Sequence, residues 1–153
     1  MIDSASTTPD QYRALAAEFR AKARNQESPA FRAELDLPSV PRSASAARHV
    51  VTQLLAAWAA DGYRDDAALL VSELVTNVVR HVPTGTPMTV EVRLTRTALH
   101  VAVVDDSTVP AATRPGTAQG GHGLWLVAAV ADDWGSEEHA RGKRVWFELR
   151  RAA

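Results

Sequence analysis

Two short segments carry the residue types that a site for a metal ion and phosphate groups needs. Glu73 and Asn77 place a carboxylate and a carboxamide one helical turn apart. Farther along the chain, the glycine-rich stretch 120–123 precedes the apolar run 124–127. Oxygen ligands suit a hard cation, and the backbone N–H groups at the start of a helix suit phosphate. The pattern therefore indicates a metal–triphosphate site.

The Glu73–Asn77 pair allows two interpretations. Leu74, Val75 and Val78 form the apolar stripe of the same predicted helix, so Glu73 lies at the edge between buried and open surface. There it could act as a general base, and Asn77 could give its carbonyl oxygen to magnesium. Alternatively, both are solvated surface side chains. The helix alone favours this second interpretation, although Asn is a poor residue for a helix interior and so gives some weight to the first.

Asp105 and the glycines have ordinary alternatives as well. Asp105 follows the apolar run 99–104, so its carboxylate could accept a hydrogen bond from the exocyclic amine of adenine, or it could simply begin a turn. The glycines 120–123 could let the backbone approach a ligand, or could form a hinge. The chain contains neither a P-loop nor the glycine pattern of dinucleotide-binding folds.

Composition limits the remaining classes. With 17 basic and 18 acidic side chains the formal net charge is −1, which argues against a general nucleic-acid binder. The absence of cysteine excludes disulfides and thiolate metal sites, and no two of the five histidines have zinc-ligand spacing. The N-terminus has no secretory signal pattern, and no apolar run is long enough for a bilayer. We therefore expect a cytoplasmic protein without a membrane span.

Periodicity predicts the elements that position these residues. Residues 10–25 read as a helix, 31–37 as a strand, and two long helices follow, from Ser43 or Ser45 to about residue 60 and from residue 65 or 66 to about His81. Two strands, 88–94 and 99–104, precede a loop over 107–121 and a short helix over 123–131. A hairpin near residues 141–142 then joins the last two strands, 134–138 and 144–149.

This order of elements predicts an α/β fold, a two-layer sandwich with helices on one face of a mixed, mostly antiparallel sheet. We expect one nucleotide-binding domain over residues 29–153. Residues 1–28 are predicted to form an N-terminal tail with an appended helix, which could modify dimerisation or partner choice.

The three segments, in this order and spacing, resemble the GHKL ATPase superfamily, and most of all the anti-sigma-factor serine kinases of the SpoIIAB and RsbW type in their short actinobacterial form. The resemblance spans about residues 31–149. The segment 72–77 together with His81 matches the family's N box, which implies Glu73 as the general base, Asn77 as the magnesium ligand and His81 as a neighbour of the nucleotide. Asp105 matches the residue that reads the adenine amino group.

The resemblance also covers the glycine-rich segment. Gly121, His122, Gly123 and Leu124 match the glycine box, whose backbone holds the phosphates. Arg48 matches an arginine with which this family contacts protein partners. The implied cofactors are ATP and magnesium. The implied partners are a sigma factor and a STAS-type anti-anti-sigma protein, bound by a homodimer that makes no direct contact with nucleic acid.

Three functions stay open at this point. The first is a serine/threonine-protein kinase and anti-sigma factor that phosphorylates the STAS partner. The second is a nucleotide-binding switch without kinase activity that sequesters a partner, and the third is a module that hydrolyses ATP. Intact Glu73 and Asn77 favour the first. The second is favoured by two departures, the replacement of the family's usual threonine around residues 143–144 and a predicted lid, 109–120, whose single cation is Arg114.

Overall fold

A computed structural model describes residues 30–106, 122–139 and 142–151. The predicted N-terminal tail and its helix, residues 1–28, lie outside this part of the chain, as does the predicted loop 107–121. The domain boundary near residue 28 therefore stays a prediction. The element order of the described residues agrees with the sequence pattern: β1 (Phe31–Pro38), α1 (Arg42–Ala57), α2 (Arg64–His81), β2 (Pro87–Leu94), β3 (Ala98–Asp105), α3 (His122–Val130), β4 (Asp133–His139) and β5 (Gly142–Arg150).

The five strands form one sheet in the order β1-β2-β3-β5-β4. This sheet together with the three helices confirms the predicted α/β fold. Every described strand pairing is antiparallel, so the prediction of a mixed sheet is corrected to an antiparallel one. The three helices lie on one face of the sheet, where α2 contacts β3 and β5, α1 contacts β1, and α3 contacts β4. Within the helix layer α2 contacts both α1 and α3, so it lies between them.

The core forms between this helix layer and the inward side chains of the sheet. Strand β2 shows the alternation that the sequence predicted, because Met88, Val90 and Val92 are buried while the residues between them are partly exposed. The predicted stripe of α2 is buried as well. The largest fully buried side chains come from both layers: Phe147, Leu55, Leu70, Leu74, Met88, Leu99 and Leu149.

Both ends of α1 differ from the prediction. Neither Ser43 nor Ser45 caps the helix; the N-cap is Pro41, whose backbone is already helical at φ −54°. The Ser43 hydroxyl instead donates a hydrogen bond to the carbonyl oxygen of Pro38 at 2.6 Å, which ties the helix to the end of β1. At the other end, α1 stops at Ala57, short of the predicted end near residue 60, and Ala59 takes a left-handed φ of 54°.

Candidate functional site

The pleat of β3 decides where Asp105 points. Asp105 shares its face of the strand with Val101 and Val103, both buried in the core, so its side chain lies on the helix side of the sheet. Only 1% of its surface is exposed. Its cross-strand neighbours on that face are Met88 of β2 and Lys143 of β5. A buried carboxylate thus ends the central strand beneath the helix layer.

The contacts of Arg151 fix the direction of α2 over the sheet. Arg151 follows directly on β5, and its guanidinium binds the Asp66 carboxylate at 2.5 Å and the Gly62 carbonyl oxygen at 3.3 Å, both near the start of α2. The end of β5 therefore lies at the beginning of α2. Helix and strand have similar lengths, about 27 Å and about 30 Å, because a helix rises less per residue than a strand. From this anchored start and these lengths we infer that the last turns of α2 lie toward the beginning of β5 and toward Asp105.

The same contacts show which neighbour the polar flank of α2 faces. Asp66, Glu73 and Asn77 are spaced by seven and four residues, so they share one stripe along the helix. Arg151, the partner of Asp66, also lies 4.0 Å from the carboxylate of Asp132, just after α3. The stripe therefore faces α3 and not α1. Glu73 and Asn77 are half-buried, as expected for side chains at the margin of a cleft.

Helix α3 presents its N-terminal end to the same region. Its C-terminal end is fixed near the end of β5, where the Asp132 backbone N–H donates to the Glu148 carbonyl oxygen at 3.0 Å and the Asp132 carboxylate accepts from the Arg150 N–H at 2.6 Å. Helix α3 also contacts α2, and we infer that its first turn points toward the Asp105 end of the sheet. The N–H groups of that turn have no partners within the helix and suit an anion.

That most of the predicted site residues meet at one cleft stays a prediction. In that arrangement Glu73 and Asn77 of α2 would form one wall, Asp105 at the end of β3 the floor, and the backbone of His122 and Gly123 the start of α3. Leu124 is partly buried and packs against the core, and His81 is half-buried at the end of α2. Gly121 lies outside the described residues. The role of each residue stays a prediction.

Arg48 lies elsewhere. It is an exposed residue of α1, the helix on the other side of α2 from α3. It therefore lies away from the predicted cleft. Its role in contacting a partner stays a prediction.

The register of the sheet places Lys143 and Arg144, which are neighbours in the sequence, on opposite faces. Lys143 lies directly opposite Asp105 and is 6% exposed on the helix side of the sheet, whereas Arg144 lies opposite Val104 on the other face. Of these two residues, Lys143 is therefore the one on the side of the sheet where Asp105 lies. The sequence of β5 could have predicted this placement. Lys143 lies two residues before Val145 and four before Phe147, and side chains two residues apart in a strand share a face.

Gly142 lies directly against Asp105. The sequence predicted only a turn at this position and gave no sign of that contact. A Cβ atom built there would overlap the carbonyl oxygen of Asp105 and lie 2.9 Å from its carboxylate oxygen Oδ1. Glycine is therefore the residue that lets the start of β5 approach the end of β3 so closely. The position of the Asp105 carboxylate depends on a neighbour without a side chain.

Among the described residues, no group of three or more His, Cys, Asp or Glu side chains could hold a metal ion. Also within this part of the chain, no helix has the length and apolar character that crossing a bilayer requires. A cation at this cleft would need oxygen ligands from a bound molecule in addition to those of the protein.

Comparison with known proteins gave one family. The sequence model of the family described as "Histidine kinase-like ATPase domain" matches residues 37–149, which include every described element except the first residues of β1 and the end of β5. A search of curated proteins gave no match.

Proposed function

This chain belongs to the histidine kinase-like ATPase domain family, which supports ATP binding, and from that premise we propose that it is a serine/threonine-protein kinase and anti-sigma factor. Its substrates would be ATP and a serine of a STAS-type anti-anti-sigma protein. The observation that supports the proposal is the buried Asp105 at the end of the central strand, on the face of the sheet covered by the helix that carries Glu73 and Asn77 and by its neighbour α3. An acid, an amide and free N–H groups are what phosphoryl transfer from a nucleotide requires.

Asp105 is the proposed reader of adenine. A carboxylate accepts hydrogen bonds and donates none, so it suits the exocyclic amine of adenine and opposes the carbonyl oxygen that guanine carries at the same place. Because Asp105 is buried, water competes little for this bond. This arrangement favours ATP over GTP.

Glu73 is the proposed general base. Its carboxylate accepts the proton of the serine hydroxyl while the serine oxygen forms a bond to the γ-phosphorus of ATP. The bond from that phosphorus to the oxygen bridging to the β-phosphorus breaks, and ADP leaves. Glu73 is half-buried at the cleft margin, which leaves it reachable by a protein substrate that docks from outside.

Magnesium fits this donor set as a partner of the triphosphate. The described residues offer no purely protein-made metal site, and magnesium usually keeps water and phosphate oxygens beside one or two protein ligands. The Asn77 amide oxygen would hold the ion in this cleft. When bound, magnesium neutralises phosphate charge.

Partner binding is proposed for a surface away from the cleft. Arg48 is exposed on α1, and α2 separates α1 from α3. A sigma factor held there, with Arg48 in the interface, would leave the cleft open for ATP. We extend the proposal to a homodimer as the sigma-binding form, as the resemblance to anti-sigma kinases implies.

The test of the kinase is transfer of label from γ-labelled ATP to candidate STAS proteins in the presence of magnesium. We expect labelled STAS protein, formed at a rate proportional to the amount of this chain. ATP binding by calorimetry without transfer to any STAS candidate would reject the kinase and leave a binding protein. Release of labelled inorganic phosphate alone would indicate hydrolysis.

The adenine-reading role of Asp105 predicts a nucleotide-dependent loss of affinity. We expect Asp105→Asn to weaken ATP binding by about tenfold or more, since it removes a charge-assisted hydrogen bond while keeping the side-chain shape. GTP binding should change by less than about threefold, because guanine makes no favourable bond to this carboxylate. Calorimetric titration with both nucleotides measures the difference, and equal losses for ATP and GTP would reject the role.

A second candidate function, the nucleotide-dependent switch without kinase activity, is favoured by Lys143. Lys143 is buried on the face of the sheet that carries Asp105, directly across the strand pair. Side chains in such pairs lie close enough to interact. Lys143 can therefore compete with adenine for the Asp105 carboxylate, which would weaken ATP binding.

Replacing Lys143 tests this competition. We expect Lys143→Thr to bind ATP about tenfold more tightly than the unchanged protein, because the carboxylate loses a competing cation. The matched control is Arg144→Thr, which removes the same charge from the opposite face of the sheet and should leave the affinity unchanged. Calorimetry gives both dissociation constants. Weaker ATP binding by Lys143→Thr would show that the lysine supports the nucleotide and would remove the reason for preferring the switch.

A further inference from the structure

The face of the sheet opposite the helix layer, here called the outer face, carries charged side chains in place of a second apolar layer. On β1 and β2 its residues alternate with the core residues and are exposed or half-buried. The outer face of the central strands carries His100, Arg144 and Trp146, with the histidine and tryptophan rings stacked at 5.3 Å. No step of the proposed kinase reaction uses this face.

A cavity of about 180 Å³ opens on the outer face over β1 and β2. It is lined by Arg32, Ala33, Glu34, Glu91, Arg93 and Arg144. This volume is smaller than the sites that hold drug-sized molecules, which indicates a small ligand or a single chemical group. Three arginines and two glutamates leave the lining with one net positive charge.

Sheet register places like charges directly opposite each other in this cavity. Arg32 is the cross-strand partner of Arg93, and Glu34 is the partner of Glu91. Such pairs are unfavourable unless something else neutralises them. Glu91 has a cation nearby, since the Arg144 Nε lies 3.6 Å from its carboxylate. The two paired arginines do not gain an equivalent anion.

Arg144 adds a third guanidinium from two strands away. Its cross-strand partner on β3 is Val104, yet its guanidinium donates to the Nε2 atom of His100 at 3.1 Å. To reach His100 it must pass the intervening position on that face, which is the small residue Ala102. The contacts to His100 and Glu91 hold the Arg144 side chain along the sheet, with its charge at the cavity wall.

Arg93 is the cavity arginine on which burial and neighbouring cations outweigh the nearby carboxylates. It is half-buried, and among the residues that the structure describes no carboxylate lies within ion-pair distance of its guanidinium. Burial lowers the pKa of Arg93 from its ordinary value, and the Arg144 and Arg32 charges lower it further, against the opposing effect of Glu91 and Glu148. A partly desolvated guanidinium between two others is a strong site for an anion.

We propose that this cavity binds a small oxyanion, a phosphate or carboxylate group, through Arg93 with Arg32 and Arg144 beside it. A guanidinium can donate two parallel hydrogen bonds to such a group, and the anion relieves the repulsion between Arg32 and Arg93. Glu34 and Glu91 then accept hydrogen bonds from donor groups attached to the anion. The site lies on the other face of the sheet from Asp105, so it is distinct from the nucleotide cleft and independent of the proposed kinase activity.

The test follows the arginine Nε–Hε signals by NMR during titration with inorganic phosphate and, separately, with malonate, at constant ionic strength. We expect the Arg93 signal to shift and to saturate with at least one of the two anions. Saturation by phosphate alone assigns a phosphoryl ligand, and saturation by malonate alone assigns a carboxylate. Shifts that grow linearly with both anions, without saturation, would overturn the proposal.

Variants locate the binding. Arg93→Gln should weaken the anion by about tenfold or more, and Arg32→Gln, at an exposed position that the fold tolerates, should weaken it by several-fold. The matched control is Arg42→Gln, which removes one exposed positive charge from the helix layer and should change the affinity by less than about twofold. An equal loss in Arg42→Gln would show that the anion responds only to the net charge of the protein, and this would overturn the proposal. Loss of binding in Asp105→Asn would place the anion in the nucleotide cleft, with the same consequence.

Discussion

A protein carrying Glu73→Gln is expected to transfer phosphate to the proposed STAS substrate roughly 10²- to 10⁴-fold more slowly than the unchanged protein, the usual contribution of a positioned general base. The amide keeps the size of the side chain and its helix propensity, but it cannot take the proton of the serine hydroxyl. ATP binding should persist, because the adenine and phosphate contacts proposed for Asp105 and the start of α3 are untouched. Single-turnover transfer of label and calorimetry measure the two properties separately.

Ser72→Ala is the matched control for this variant. Ser72 is the chain neighbour of Glu73 but lies on the other flank of α2, where its hydroxyl donates to the Ala68 carbonyl oxygen at 2.7 Å. Its removal should leave the transfer rate within about twofold of the unchanged protein. A transfer rate unaffected by Glu73→Gln would exclude Glu73 as the base. A rate that falls equally in both variants would attribute the loss to α2 as a whole.

The second large effect concerns the glycine that lets β5 approach the end of β3. Gly142→Ala should reduce the free energy of unfolding by about 3 kcal/mol, the upper end of the usual range for an overfilled site. The atom in the way is the carbonyl oxygen of Asp105, which belongs to the backbone and cannot turn aside as a flexible side chain can. The strand must therefore move, and the Asp105 carboxylate moves with it. Chemical denaturation gives the stability, and calorimetry gives the expected loss of ATP affinity.

Gly62→Ala provides the comparison, because a Cβ atom at Gly62 would meet nothing within 4 Å. Its stability should equal that of the unchanged protein or exceed it by up to about 1 kcal/mol, through a less flexible unfolded chain. If Gly142→Ala proves as stable as Gly62→Ala and binds ATP normally, the close approach of β5 to Asp105 does not position the carboxylate. The adenine-reading geometry would then need another basis.

Local pattern was enough to predict most of the fold. The alternation of Val90, Val92 and Leu94 predicted a half-buried strand, and the apolar stripe of α2 predicted which side of that helix enters the core. The two-residue repeat of a strand and the 3.6-residue repeat of a helix each depend on the geometry of a single element. Both repeats can therefore be read directly from the sequence. The α/β class then followed from the order of the elements, although the all-antiparallel pairing did not, because strand direction within a sheet depends on how the connections cross it.

Local pattern predicted the ends of α1 less well. Ser43 has the residue type of a helix cap, but its hydroxyl binds the end of β1 instead. A serine can satisfy its hydrogen bond in either place, and the choice depends on which carbonyl oxygen or N–H the fold brings close. The type of element was therefore easier to predict than its boundary.

By itself, the sequence determined the residue types available for chemistry: an acid and an amide on one flank of a helix, a carboxylate at the end of an apolar strand, and glycines before a short helix. The tertiary structure alone decided which of them meet, because the register of β5 against β3 and the direction of α2 are set by contacts between residues far apart in the chain. Register turns Lys143 toward Asp105 and Arg144 to the opposite face, and it sets Arg32 against Arg93. A shift of one residue would exchange these faces, and nothing in a local stretch of sequence reports it.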